Sequence, residues 1–119
     1  MDTALALLGT PYRDGGSDPD GFDCSGFTQW VYARSGFALP RETREQFRQG
    51  AAIRPEDVVA GDLVFFTTVA PGASHVAIAL DADRFVHAPS SRGVVRVERR
   101  SSAYWQRRFI GARRVVRAE

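Results

Sequence analysis

The spacing of hydrophobic positions changes once along the chain, near residue 60. Before it, apolar residues recur at helical intervals; after it, they come in short clusters between turn residues. Residues 3–8 predict a short helix stopped by Gly9 and Pro11. Residues 12–22 read as a loop, because Gly15-Gly16-Ser17 and Asp18-Pro19-Asp20-Gly21 are strong turn chemistry. A second helix follows, with Asp23 as N-cap and Gly36 just past its end. Cys24, Phe27, Thr28, Val31 and Tyr32 share one of its faces, which puts Cys24 in the first turn. A third helix is expected from Thr43, with Thr43 and Gln46 as a capping box, to Gly50. Strands are expected at 63–66, 75–80, 84–88, 94–97 and 109–116, with a helical turn at 101–105. Helices followed by a run of strands predict an α+β fold, with N-terminal helices packed on a C-terminal antiparallel sheet of about five strands.

The turn at Asp81-Ala82-Asp83 makes a hairpin of the second and third strands, setting residue 75 roughly opposite residue 87. Both numbers are odd, so His75 and His87 share a sheet face. Ala77 and Ala79 lie on that face too; being small, they would let the Cys24 helix approach closely. Val76, Ile78 and Leu80 line the other face.

Composition narrows the possibilities. With 119 residues, the expectation is a single domain over 1–119. Hydrophobic residues at 44% and charged residues at 25% are globular proportions. Cys24 is the only cysteine, which excludes a disulfide within the chain and a cysteine-rich metal knuckle. It leaves a buried apolar residue or a reactive thiol. All 16 basic residues are arginine, unevenly spread. Residues 1–83 carry 6 arginines against 12 acidic residues, and residues 84–119 carry 10 against 2. A basic third could meet an anionic polymer. Stacking aromatics do not line up with the arginines, so a solvated strand face is the expectation and nucleic acid is not an expected partner. The first residues lack the basic start and long apolar run of a signal peptide, and no stretch approaches a membrane span.

Cys24, His75 and His87 together suggest nucleophilic catalysis. A thiolate is the nucleophile, and a helix N-terminus and an adjacent imidazolium both favour it. His75 would serve as general acid and then base, and His87 as the polar group that holds its ring. The backbone N–H of Cys24 suits an oxyanion. Tyr12, beside the glycine loop, either brings a hydroxyl to the same cleft or packs in the core.

Several segments in order then resemble the NlpC family of papain-like bacterial cell-wall cysteine peptidases. They begin with Gly9-Thr10-Pro11-Tyr12-Arg13, Gly15-Gly16 and Gly21-Phe22-Asp23-Cys24-Ser25-Gly26-Phe27. Leu39-Pro40-Arg41 with Gln46 and Gly61-Asp62-Leu63-Val64-Phe65-Phe66 follow. Ser74-His75-Val76-Ala77-Ile78 and Phe85-Val86-His87-Ala88-Pro89 complete the series. The resemblance implies a papain-like fold, no metal and no cofactor. It implies hydrolysis of peptidoglycan stem peptides at the γ-D-glutamyl–diaminopimelate or –lysine bond, in the cell envelope or outside the cell. It makes Cys24 the nucleophile, His75 the base and His87 the orienting residue, and it places Tyr12, Asp23, Ser25 and Arg41 near the substrate. The chain departs from the family pattern at Asp14, where an aromatic is common, and at Ala77, where glycine is usual. The same thiol–imidazole chemistry would also serve an amidase or acyltransferase, and a degenerate relative would only bind wall peptide.

Overall fold

Each half of the chain folds as its residue pattern dictates, with more strands than the pattern reveals. The computed structural model describes residues 2–90 and 93–115. Among the described residues there are four α-helices, α1 (Asp2–Leu5), α2 (Cys24–Arg34), α3 (Thr43–Gln46) and α4 (Ala103–Gln106), and one short 3-10 turn at Pro55–Asp57. A two-stranded ribbon pairs β1 (Ser17–Asp18) with β2 (Gly21–Phe22). The main sheet has six antiparallel strands: β3 (Ala51–Ile53), β4 (Leu63–Phe66), β5 (His75–Ala79), β6 (Arg84–His87), β7 (Arg96–Arg99) and β8 (Phe109–Arg114). Their order across the sheet is β3-β8-β4-β5-β6-β7.

The α+β class is as expected, with six strands rather than about five. The extra strand, β3, is Ala-Ala-Ile, with no alternation to announce it; it forms because β8 offers it an edge. The expected turn at Pro19-Asp20 is present, but it joins the short ribbon rather than lying in a featureless loop. Helix α3 is a single turn and does not reach Gly50. Its N-cap is Glu42, and the expected capping box does not form. Gln46 instead turns inward, fully buried, and donates from Nε2 to the carbonyls of Ser25 and Pro40 at 3.1 and 2.8 Å. Strand β7 starts two residues later than expected, because Val94 pairs with Pro11 in an isolated bridge. Val116, expected to end the last strand, lies outside the described residues.

Two apolar layers flank the sheet. On one face Val76, Ile78, Val86 and Leu63 pack with Phe22, Phe27 and Val31 of the N-terminal half. On the other, Ala77, Ala79, Phe66 and Phe85 pack with Trp105. Helix α2 therefore covers the even-numbered face of β5. The expectation that it lies over His75, Ala77 and Ala79 is overturned: those small residues accommodate the indole of Trp105 instead.

Candidate active site

Helix α2 starts where the sequence requires. Asp23 is extended, and its Oδ1 accepts from the Gly26 N–H at 2.7 Å, capping the first turn. The ribbon lies directly on that turn, since Asp23 N–H donates to the Gly16 carbonyl at 3.0 Å. A Cβ on Gly26 would collide with the same carbonyl, so glycine is required there. Arg41 ties the corner together. Its Nη2 donates to Asp23 Oδ2 at 2.8 Å and to the Gly16 carbonyl at 3.3 Å, and its Nη1 to Ser25 Oγ at 2.7 Å. Asp23, Ser25 and Arg41 are thus one cluster at the foot of α2.

Cys24 reaches the sheet at a gap between strands. Pairing of β5 with β6 stops at Ile78–Val86. The next N–H in that ladder, that of Val76, faces the Cys24 sulfur instead. Thr43 Oγ1 lies 3.5 Å from the sulfur. The helix N-terminus was expected to lower the thiol pKa. Burial pushes it up instead, against the opposing pull of Thr43 and the Val76 and Ser25 N–H groups, with Asp23 adding to the rise. Tyr12 shares this environment: burial, the sulfur and the carboxylates of Asp14 and Asp23 push its hydroxyl up to about 12.

The imidazoles meet on the opposite face of β5. His75 Nε2 lies 2.7 Å from His87 Nδ1, with the rings edge to face. The contact is diagonal rather than directly cross-strand, because Ile78 opposes Val86. Trp105 stacks on His75, centroids 5.3 Å apart and planes 24° apart. Burial, then the neighbouring His87, holds His75 well below the usual histidine range, with Glu98 opposing. Burial also lowers His87, against Glu98. Two buried groups that each resist charging rest as neutral thiol and neutral imidazole, so a charged pair forms only as the two neutralise each other.

The structure brings His75 to His87 and gathers Tyr12, Asp23, Ser25 and Arg41 around the start of α2. Among the described residues, no hydrogen bond joins Cys24 to His75; the sulfur is next to Val76, the residue that follows His75. Among the described residues, no group of three or more His, Cys, Asp or Glu is arranged to hold a metal, and no helix is long and apolar enough to cross a membrane. The sequence reading missed Glu98, whose Oε2 lies 2.9 Å from His87 Nε2, and Trp105, whose Nε1 donates to Glu98 Oε1 at 3.1 Å. The signal was the pairing of β6 with β7, which sets Glu98 opposite Phe85 and diagonal to His87.

Residues 9–114 match the model of the NlpC/P60 family. The chain is 44% identical over 117 residues to the probable endopeptidase NlpC of Escherichia coli (strain K12), a match covering 96% of this chain and 75% of that protein. It is 37% identical over 122 residues to a gamma-DL-glutamyl hydrolase of Bacillus subtilis (strain 168); there the match covers 98% of this chain but only 29% of the relative. Among solved structures, a Staphylococcus aureus protein described as similar to lipoprotein, NLP/P60 family, has a TM-score of 0.89 and 43% identity. That match covers 99% of this chain and 40% of that one.

Proposed function

This chain belongs to the NlpC/P60 family, and from that premise we propose that residues 1–119 are one cysteine endopeptidase domain acting on peptidoglycan stem peptides. The bond is the one between γ-D-glutamyl and the following diamino acid, diaminopimelate or lysine, and the place of action is the bacterial cell wall. The observation that carries the reading is the thiol of Cys24 at the start of α2, filling the gap in the sheet beside the His75–His87 pair.

In this reading Cys24 Sγ attacks the scissile carbonyl while its proton passes to His75. The forming oxyanion takes the Cys24 N–H at the helix start. His75 then gives the proton to the leaving amine as the C–N bond breaks, leaving an acyl-enzyme. Water attacks that thioester with His75 taking its proton; the C–S bond breaks, the acid product leaves, and His75 returns the proton to the Cys24 sulfur. His87 holds the His75 ring. Tyr12, Asp23, Ser25 and Arg41 line the approach to Cys24 and bind the polar end of the stem peptide. The name of the Bacillus subtilis relative, a gamma-DL-glutamyl hydrolase, supports the choice of bond.

The test is a mass-spectrometric digest of defined muropeptides by wild type and Cys24→Ala. Wild type alone should produce fragments, with masses that place the cut after γ-D-glutamate. Cleavage by both proteins would remove Cys24 from the mechanism. Cleavage at a sugar–peptide link would make the enzyme an amidase.

A further inference from the structure

We propose that Glu98 is a positioning residue of the catalytic chain, fixing the tautomer of His87 and through it the lone pair that His75 offers to Cys24; this rests on the reading of His75 as the base. The argument is donor arithmetic. An ionised carboxylate only accepts hydrogen bonds. Glu98 Oε2 lies 2.9 Å from His87 Nε2, so His87 carries its proton on Nε2. A neutral ring holds one proton, so His87 Nδ1 is an acceptor. His75 Nε2, 2.7 Å away, must then be the donor. That leaves His75 Nδ1 as the bare nitrogen, and among the described residues it has no hydrogen-bond partner. It is the nitrogen free to take a proton from a thiol.

The surroundings keep the carboxylate in this role. Trp105 Nε1 donates to Glu98 Oε1 at 3.1 Å, which occupies the second oxygen. Arg96 Nε lies 3.6 Å from Oε2, buried and without a hydrogen bond of its own, and balances the charge. The His87 N–H first, then Trp105 and Arg96, hold the Glu98 carboxyl down at about 2 against partial burial. Glu98 is therefore ionised at neutral pH. The same indole stacks on His75, so one residue, Trp105, fixes both the carboxylate and the plane of the base.

A glutamine cannot do this work although it has the same shape. It has one oxygen and one NH2 where two N–H donors point. If the oxygen serves Trp105, the NH2 donates to His87 Nε2. His87 then carries its proton on Nδ1 and turns it towards His75 Nε2. His75 is driven to the Nδ1–H form, and the base loses its lone pair. If the oxygen serves His87, the NH2 opposes the Trp105 N–H and the site is strained.

The experiment uses the two histidines as their own reporters, since the chain has only these two. Long-range proton–nitrogen correlation spectra of the nitrogen-15-labelled protein read the tautomer of each ring without substrate. Wild type at pH 8 should show both rings protonated at Nε2. Glu98→Gln should show a new Nδ1–H population on both. On muropeptide, Glu98→Gln should lose kcat on the order of 100-fold with KM within about twofold, as expected for a mis-set tautomer. The acid limb of its kcat profile, where His75 becomes protonated, should also move to lower pH. The charged or titratable groups around the His75 imidazolium are Cys24 on α2, His87 on β6, and Glu98 and Arg96 on β7. Phe66 and Trp105 pack on it without charge. Loss of the single carboxylate makes that imidazolium easier to deprotonate. Glu98→Asp, which restores the charge, should recover part of the limb position. A wild-type His75 protonated on Nδ1 would overturn the proposal, as would a Glu98→Gln protein with unchanged tautomers and an unchanged profile. Wild type that cleaves no muropeptide, yet shows the expected tautomers, would sink the substrate assignment and leave the role of Glu98 standing.

Discussion

Cys24 and His75 are each kept neutral by burial, so neither is a ready-made ion in the resting protein. That makes them one unit, because the sulfur loses its proton only where the imidazole can take it. His75→Ala should therefore cost as much activity as Cys24→Ala, and the two losses should not add. His87→Ala should be milder in rate, since the base remains, but it removes the partner of a carboxylate whose side chain is only 16% exposed. A fall in kcat smaller than that of His75→Ala, together with a lowered Tm, is the expected result. A rate as low as that of His75→Ala would mean that His87 itself handles the proton. The contact between His75 and His87 was legible because the strand period alone puts 75 and 87 on one face. Glu98 was not, because Arg96-Val97-Glu98-Arg99 reads as a solvated charged strand. Its inward aim depends on the pairing of β6 with β7, and the long connection between those strands does not set a register that can be read from the sequence.

At the scale of elements, the foot of α2 is the feature on which the site depends. The helix was visible in the sequence because its cap, its face and its stop agree. The ribbon pressed against its first turn was not, since two-residue strands have no period, and neither was the inward turn of Gln46. The close approach of the Gly16 carbonyl to Gly26 gives a specific expectation. Gly26→Ala should force the ribbon off the helix, lower stability by about 1–3 kcal/mol as overpacking does, and carry Cys24 out of line. The urea midpoint and turnover should fall together. A variant that unfolds early yet turns over normally when folded would mean that the ribbon does not align Cys24.

For the whole molecule, the sequence announced α+β but not how its charge is disposed. The basic last third folds back on the acidic part: Arg114 pairs with the buried Asp62 at 2.8 Å, and Arg99 with Asp83 at 3.1 Å. The apparent polymer-binding patch is in part internal pairing, which no charge count can reveal. Acid sensitivity belongs to this scale too. His75 and His87 have folded pKa values below the unfolded value of 6.5, so the unfolded chain binds protons more readily. The stability they contribute is fully present above about pH 6.5 and is lost as pH falls. Thermal melts from pH 8 to pH 5 should show Tm constant at first and then dropping below about pH 6.5. A Tm unchanged down to pH 5 would mean that the pair charges in the folded state at no cost. One further consequence comes from the strand order. β8 is the last of the eight strands to be synthesised, yet it lies between β3 and β4 in the interior of the sheet. While the polypeptide is still emerging from the ribosome, β3 has no neighbour and one edge of β4 stays open. The sheet that carries His75 is completed only by this late insertion. The proposed site is therefore framed by a complete sheet only once residues 109–114 have emerged, in one step rather than gradually with length.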